Sequence, residues 1–222
     1  MRQTWLDLLF AHWPIPHDEL RPLVPSQLPL DTFDGRCWLG VAPFRMRNVR
    51  PRLTPPLPWI SSFPELNVRT YTTLEGKPGV YFFSLDAANS LAVWAARTFY
   101  RLPYFQAKMT VSTENNSIVY HSRRRTGDAE FRATYAPVKP VELRSPGTLE
   151  HWLSERYCLY TVAHGQVYRG DIHHLPWPLQ DARADIAVNS MASAAGIELR
   201  VRPPLLHFAR RLDVLIWPLQ RL

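Results

Sequence analysis

Cysteine and glycine are scarce in this chain of 222 residues, and long apolar runs are missing altogether. Its two cysteines, Cys37 and Cys158, are far apart and form no Cys-x-x-Cys motif, which argues against a zinc site or a thioredoxin-like redox centre. No apolar stretch approaches the length that crosses a bilayer, and the first residues lack the pattern of a secretory signal peptide. We therefore expect a cytoplasmic protein with reduced thiols and no membrane partner.

Further absences exclude several classes of enzyme and cofactor. No glycine-rich loop of a phosphate-binding type is present, so nothing supports nucleotide chemistry. A Gly-x-Ser-x-Gly elbow is also missing, which leaves a serine hydrolase without support. His173 and His174 are adjacent, and neighbouring side chains of a strand point to opposite faces, so the two do not chelate one ion well. We expect no metal and no cofactor.

Positive charge is the clearest bias of the composition. The formal net charge of +7 would attract polyanions in general, but the basic residues are scattered along the chain. The densest run, Arg123-Arg124-Arg125, precedes Gly127-Asp128 and is typical of a solvated hairpin tip, whereas a nucleic-acid footprint needs one basic face. We expect no nucleic-acid partner.

The pattern of apolar residues predicts a mainly β fold with α inserts. The 21 prolines and 9 glycines suit many short strands joined by stiff turns. An alternation of period two predicts strands, and the period changes to that of a helix over 87–101, with Leu91, Trp94, Ala95 and Thr98 on one stripe. The longest irregular loop, 50–59, carries Trp59.

The sequence shows no repeats or linkers, so we predict one domain over residues 1–222. Its expected architecture is an antiparallel barrel or sandwich with a few short helices. The main predicted strands cover 5–13, 36–47, 65–71, 79–85, 105–112, 118–125, 130–137 and 206–217.

Polar side chains alternate along the strand predicted at 65–71. Such a face either meets solvent or points into a polar cavity. In a closed cavity, desolvation would raise the pKa of a carboxyl group and a nearby guanidinium would lower it, a balance that acid and base catalysts use. The residues on this face are Glu65, Asn67, Arg69 and Tyr71.

Three other charged residues have both a structural and a chemical interpretation. Arg97 lies near the end of the predicted helix, where a positive charge complements the helix dipole. Asp86 precedes that helix and, with Asn89 and Ser90, is typical of an N-terminal cap. Lys108 lies on the polar face of its strand, where it is either solvated or, if buried, a candidate Schiff-base lysine.

The segment Ser84–Arg97, followed by Leu102-Pro-Tyr-Phe105, resembles the acetoacetate decarboxylase superfamily, whose pattern there is Leu-Asp, a helix, Gly-Arg-Glu and Gly-aromatic-Pro-Lys-Lys. Taken whole, the chain resembles the YqjF-like uncharacterised family of that superfamily. The pieces that carry this resemblance are Trp5–Trp13, Trp38-Leu-Gly-Val, Glu65–Tyr71, Gly79–Asp86, Arg97 with Leu102-Pro-Tyr104, and His174–Leu179.

The resemblance implies a closed, mostly antiparallel acetoacetate decarboxylase-like barrel with a central cavity. It implies that Glu65 matches a cavity glutamate and Arg97 the arginine of the Gly-Arg-Glu run. Tyr104 and Phe105 fall on the positions of the lysine pair. A phenol cannot form an imine. The replacement of the lysine pair therefore leaves decarboxylation through a Schiff base without support.

We therefore predict a barrel whose cavity binds a small anionic organic molecule. One version is a lyase or hydrolase without the Schiff-base lysine. The alternative is a non-catalytic ligand-binding protein or an interaction protein that uses its basic surface. Whether the protein forms a homo-oligomer stays open. The predicted catalytic residues are Glu65, Arg97 and Tyr104, and the predicted ligand-binding residues are Asn67, Arg69, Tyr71 and Lys108.

Overall fold

The computed structural model describes residues 1–57, 60–200 and 203–222. Trp59 of the predicted proline-rich loop lies outside these ranges. The described strands are β1 (Arg2–Ile15), β2 (Cys37–Arg50), β3 (Phe63–Leu74), β4 (Lys77–Ala87), β5 (Tyr104–Glu114), β6 (Ser117–Arg124), β7 (Glu130–Pro137), β8 (Cys158–Ala163), β9 (Gln166–His173), β10 (Gln180–Asn189), β11 (Leu205–Ile216) and β12 (Gln220–Arg221). The α-helices are α1 (His17–Leu20), α2 (Ser90–Tyr100) and α3 (Leu149–Ser154), and two 3₁₀ turns cover Arg21–Leu23 and Ser193–Ala195.

The strands form one sheet that closes on itself twice. Along the sheet the order is β12-β9-β8-β4-β3-β2-β1-β11-β10-β7-β6-β5. A pairing between β9 and β11 closes a ring of seven strands, and a pairing between β4 and β5 closes a ring of nine. The pairs β4–β5 and β4–β8 are parallel, and the other pairings of the described strands are antiparallel. The prediction of a mainly β, closed and mostly antiparallel fold is confirmed.

Five strands, β4, β3, β2, β1 and β11, belong to both rings and form their common wall. Because side chains alternate across a strand, each shared strand serves two interiors. On β1, Phe10 packs into the core of the seven-stranded ring, whereas Leu9 packs into the core of the nine-stranded ring. On β3, Leu66 and Val68 lie in the core of the nine-stranded ring, which is apolar. The opposite face of β3 is also buried, so its polar side chains point inward rather than to solvent.

Helix α2 packs against the core of the seven-stranded ring, and its burial differs from the sequence prediction. The helix buries Val93, with Ala92 and Ala96 packed beside it. Leu91 and Trp94 of the predicted stripe are mostly exposed. Sequence spacing alone cannot tell which side of an apolar helix meets the core when both sides carry apolar residues.

Asp86 does not cap helix α2, which corrects the sequence prediction. The cap is Asn89, whose side chain accepts from the backbone N–H groups of Leu91 and Ala92. Asp86 instead belongs to β4 and is fully buried. Its two carboxylate oxygens accept from Arg124, at 3.0 Å from Nε and 2.7 Å from Nη2. The run Arg123–Arg125 is therefore not a solvated hairpin tip throughout, because its central guanidinium is buried.

Gly79 allows strand β4 to approach strand β8 closely. A Cβ atom at this position would lie 2.6 Å from Cys158 Sγ, 2.7 Å from the Tyr160 ring and 2.8 Å from the Cys158 carbonyl oxygen. Since a backbone oxygen cannot move aside without disturbing the sheet, we expect Gly79→Ala to lower the free energy of unfolding by about 1–3 kcal/mol. Urea denaturation measures this change. In the control, Gly40→Ala, the nearest contact is the His12 ring at 3.1 Å, an overlap that a shift of a few tenths of an ångström relieves. A smaller loss for Gly79→Ala than for Gly40→Ala would contradict the packing argument.

No helix in the described part of the chain is long and apolar enough to cross a membrane.

Candidate functional site

A cavity of about 90 Å³ lies inside the seven-stranded ring. Apolar side chains such as Phe44, Phe82, Leu102 and Ile172 form most of its wall. Polar groups are concentrated on strand β3 and on the segments before β8 and after β9. The polar and tryptophan side chains that line the cavity are Gln3, Trp5, Glu65, Asn67, Arg69, Tyr100, Tyr104, Ser154, Arg156, His174 and Trp177.

Strand β3 supplies the charged centre of the site. Glu65, Asn67 and Arg69 occupy alternate positions, so their side chains share the face that points into the cavity. All three are buried. The structure therefore brings together four of the residues singled out from the sequence, the three on β3 and Tyr104 at the start of β5.

Glu65 and Tyr104 form a buried hydrogen-bonded pair. The Tyr104 hydroxyl donates to Glu65 Oε2 at 2.7 Å, and both residues are buried. Burial raises the pKa of Glu65 to about 8, the Tyr104 hydrogen bond acts against this shift, and the negative charge of Asp86 adds to it. The pKa of Tyr104 is raised well above its usual value, mainly by burial and next by Glu65. At neutral pH the pair thus carries a proton on the Glu65 carboxyl group, which can act as an acid.

Arg69 is a buried cation without a counterion among the described residues. It is 8% exposed and forms none of the ion pairs in the described part of the chain. Its Nε has no hydrogen-bond partner there, and its guanidinium carbon lies 5.0 Å from the centre of the Phe10 ring. Asn67 also lines the cavity, and its unpartnered Oδ1 is an acceptor that suits a donor group of a ligand rather than the anionic group. A buried charge without a partner is costly, so this part of the cavity favours an anion.

Arg156 is a second cavity arginine that the sequence analysis missed. Its Nη1 donates to Asp31 Oδ2 at 2.6 Å and its Nε to the Trp152 carbonyl oxygen at 2.7 Å, which fixes the guanidinium. The guanidinium carbon lies 4.2 Å from the centre of the Trp152 ring. Its Nη2 is buried and has no partner within the described residues. A rigidly held arginine with one free donor is suited to binding an anionic oxygen.

Tyr71 is buried beside these arginines but does not line the cavity. Its hydroxyl is 2.7 Å from His12 Nε2. Burial raises the pKa of Tyr71, whereas Arg69 and Arg156 act in the opposite direction. The pKa of His12 is well below its usual value because the ring is fully buried and Arg69 is near. A neutral His12 therefore accepts or donates one hydrogen bond to Tyr71, and the pair supports the wall behind the arginines.

The motif His174-Leu-Pro-Trp177 supplies aromatic walls rather than metal ligands. His174 stacks on Tyr157 with ring centres 4.6 Å apart, and Trp177 meets Phe10 edge to face at 4.7 Å. Trp177 Nε1 is buried without a partner among the residues described, so it is a free donor at the cavity wall. Residues 1–57, 60–200 and 203–222 contain no group of three or more His, Cys, Asp or Glu side chains placed to hold a metal ion.

Arg97 and Lys108 do not reach the cavity, in contrast to the sequence prediction. Arg97 lies on the exposed side of α2, and its Nε donates to the Tyr104 carbonyl oxygen at 2.6 Å. It therefore fixes the backbone that carries Tyr104. Lys108 is exposed because β5, after Tyr104, continues away from the seven-stranded ring and pairs with β6. Strand alternation placed Tyr104 and Lys108 on one face, but only the first of them lies inside the ring.

Solved structures share this fold over almost the whole chain. A structure of acetoacetate decarboxylase matches with a TM-score of 0.68 at 12% identity and covers 100% of this chain and 88% of that one. An acetoacetate decarboxylase from Legionella pneumophila matches with a TM-score of 0.64, 12% identity and coverage of 99% and 85%. The enduracididine biosynthesis enzyme MppR, complexed with pyruvate, matches with a TM-score of 0.68, 8% identity and coverage of 99% and 89%. The fold is thus that of the acetoacetate decarboxylase-like proteins.

The chain belongs to the DUF2071 family, described as an uncharacterized conserved protein, which it matches over residues 2–213. It is 50% identical over 222 residues to the uncharacterized protein YqjF of Bacillus subtilis (strain 168), covering 100% of this chain and 92% of that protein. The resemblance inferred from the sequence motifs is confirmed at both levels, family and fold.

Proposed function

We propose that the cavity binds a small organic acid as its anion and that Glu65 transfers a proton to or from the bound molecule. The observation that carries this proposal is the Arg69 guanidinium, which is buried at the cavity wall with no counterion among the described residues. A bound carboxylate would supply the missing negative charge. Arg156 Nη2 and Trp177 Nε1 offer further donors to the same anion.

The chemistry next to this anion site is that of a carboxylic acid held neutral. The Glu65 carboxyl group accepts a hydrogen bond from Tyr104 on one oxygen, which leaves the other oxygen to carry the proton. Such an acid can protonate a leaving group or a carbanion, as a lyase or hydrolase requires. MppR, which shares the fold, is complexed with pyruvate in its structure, and a small 2-oxo acid fits the donor set of this cavity.

A Schiff-base route has no lysine available inside the cavity. Lys77 and Lys139 each pair with an aspartate near the surface, and Lys108 is exposed. The proposal therefore rests on proton transfer and on electrostatic stabilisation by the arginines.

Replacement of Arg69 tests the anion site. We expect acetate and pyruvate to raise the melting temperature of the unmodified protein, and Arg69→Gln to weaken their binding by about 30-fold or more, because the charged partner is removed. Arg125→Gln, which changes an exposed arginine, is the control and should bind both acids normally. Since Arg69→Gln also removes an uncompensated buried charge, the unliganded variant should be as stable as the unmodified protein or more stable. Equal binding by all three proteins would overturn the proposal.

Replacement of Glu65 separates catalysis from binding. Glu65→Gln retains an oxygen that accepts from Tyr104 but has no titratable proton. We expect it to bind pyruvate and to lose any conversion of small 2-oxo acids, followed by proton NMR of the reaction mixture. If the unmodified protein binds these acids and converts none of them, the cavity belongs to a ligand-binding protein, the alternative predicted from the sequence.

A further inference from the structure

A second, larger space adjoins the cavity under helix α2. This groove has a volume of about 630 Å³ and a mostly apolar lining. It lies between α2, the end of β2 and the segment that follows β11. The apolar residues that line the groove but not the cavity include Val49, Phe63, Ala92, Phe99 and Leu219.

The groove and the cavity meet along a shared wall. A ligand that extended past the side chains of this wall would reach from the charged cavity into the apolar groove. Tyr104 is part of this wall, and its hydroxyl contacts Glu65, so the junction lies next to the proposed proton-transfer pair. The side chains common to both spaces are Met1, Gln3, Met46, Ala96, Tyr100 and Tyr104.

The two spaces differ sharply in chemistry. The cavity contains Glu65, Arg69 and Arg156. The charged side chain that lines the groove is Arg101, and its guanidinium carbon lies 4.4 Å from the centre of the Tyr168 ring. Arg101 is exposed, so water solvates its charge, and the Tyr168 ring adds a cation–π attraction. The groove is thus suited to an apolar group, and the cavity to an anion.

Over its first two turns, helix α2 leaves the groove open because the residues that face the groove there are small. Ala92 and Ala95 line the groove, whereas the large side chains Leu91 and Trp94 are directed outward and are 59% and 61% exposed. Larger residues at the two alanine positions would fill the space.

We propose that the ligand is an amphipathic monocarboxylic acid whose carboxylate binds at Arg69 and whose apolar tail occupies the groove. This inference rests on the proposed function, since it needs the anion site. It adds the class of ligand: an acid with an aliphatic or aromatic tail, rather than a short acid alone. Burial of the tail contributes binding free energy in proportion to its apolar area.

A homologous series of carboxylates tests the inference. Acetate, butanoate, hexanoate and octanoate are titrated calorimetrically into the unmodified protein. We expect the affinity to rise about fourfold for each methylene group that enters the groove. Arg69→Gln should weaken the binding of every member of the series, because the carboxylate position is common to all.

Variants of α2 distinguish the groove from the cavity. Ala92→Phe and Ala95→Phe, each placed to fill the groove, should abolish the rise with chain length while acetate binds as before. Leu91→Phe, on the outward side of the same helix, is the control and should retain the rise. Two α2 variants are used so that a folding defect in one does not remove the test.

The possible failures have different meanings. A flat series in the unmodified protein, with acetate bound in an Arg69-dependent way, overturns the groove inference and leaves the proposed function standing. A rise with chain length that persists unchanged in both groove-filling variants also overturns it, because the tail then lies elsewhere. Absence of binding by every acid in the series overturns the proposed function itself.

Discussion

Replacing Asp86 by asparagine is expected to lower the free energy of unfolding by about 3–5 kcal/mol, the loss typical of a buried ion pair left with one partner. The change leaves the Arg124 guanidinium charged and buried without its carboxylate. The side chains of Asp86 and Arg124 are 0% and 7% exposed, so water cannot replace the lost partner. The guanidinium also lies over the Phe105 ring, 3.8 Å from its centre, which holds it in place.

The origin of this loss can be tested by removing both charges. We expect the double variant Asp86→Leu/Arg124→Met to lose much less than the sum of the single variants, because neither charge then stays buried alone. Glu142→Gln, which breaks an ion pair whose carboxylate is 67% exposed, is the control and should change stability by about 0–1 kcal/mol. Urea denaturation is carried out on the unmodified protein, the single variants Asp86→Leu and Arg124→Met, the double variant and the control. Additive losses in the double variant would show that packing, rather than charge, accounts for the effect.

The second large effect is a pH dependence that Glu65 imposes on stability. Its pKa is about 8 in the folded protein, against 4.5 for a glutamate that is not buried. Between these values the folded protein holds one proton more than the unfolded chain, so the free energy of unfolding falls as the pH rises. The stabilisation is complete below about pH 4.5 and is lost by the time the pH passes about 8. The total change amounts to about 3–5 kcal/mol, at 1.36 kcal/mol per unit of pKa.

Glu65→Gln isolates this contribution because glutamine does not titrate. We expect the unmodified protein to lose about 3–5 kcal/mol relative to Glu65→Gln between pH 5 and pH 9, as measured by urea denaturation at each pH. The buried histidines, whose pKa values are lowered by burial, destabilise both proteins equally at low pH and cancel in the difference. A difference that does not vary with pH would mean that Glu65 ionises normally.

Tyr104→Phe provides an independent check on the same group. Its hydrogen bond lowers the pKa of Glu65 against the effect of burial. Removing the hydroxyl should therefore raise the pKa of Glu65 in the folded protein and extend the fall in stability to a higher pH. The apolar packing of the ring does not change. The shift would be followed by the same denaturation series.

The sequence indicated the polar face of β3 because alternation is a local property of a strand. Glu65, Asn67 and Arg69 all line the cavity, as the pattern suggested. Whether that face met solvent or an interior depended on ring closure, which involves strands distant in the chain. The family resemblance supplied this information, and the periodicity alone did not.

Arg156 shows what local patterns miss. Its role depends on Asp31, 125 positions away in the chain, and no local pattern in the sequence indicates that pairing. Asp86 is a similar case: its short-range pattern was typical of a helix cap, but its partner is Arg124, 38 positions away. In both cases a long-range electrostatic contact, which no local pattern indicates, decided the role of the residue.

The wall that the two rings share makes the spacing of its strands intolerant of change. A single inserted or deleted residue in β3 would reverse the direction of every side chain beyond it. Leu66 and Val68 would then face the ligand site, while Glu65 and Arg69 would enter an apolar interior. We therefore expect homologues to diverge by substitution within these five strands and by length changes in the connections, with any residue added inside a strand taken up as a β-bulge, as at the register shift between Leu6 and Ala11 of β1.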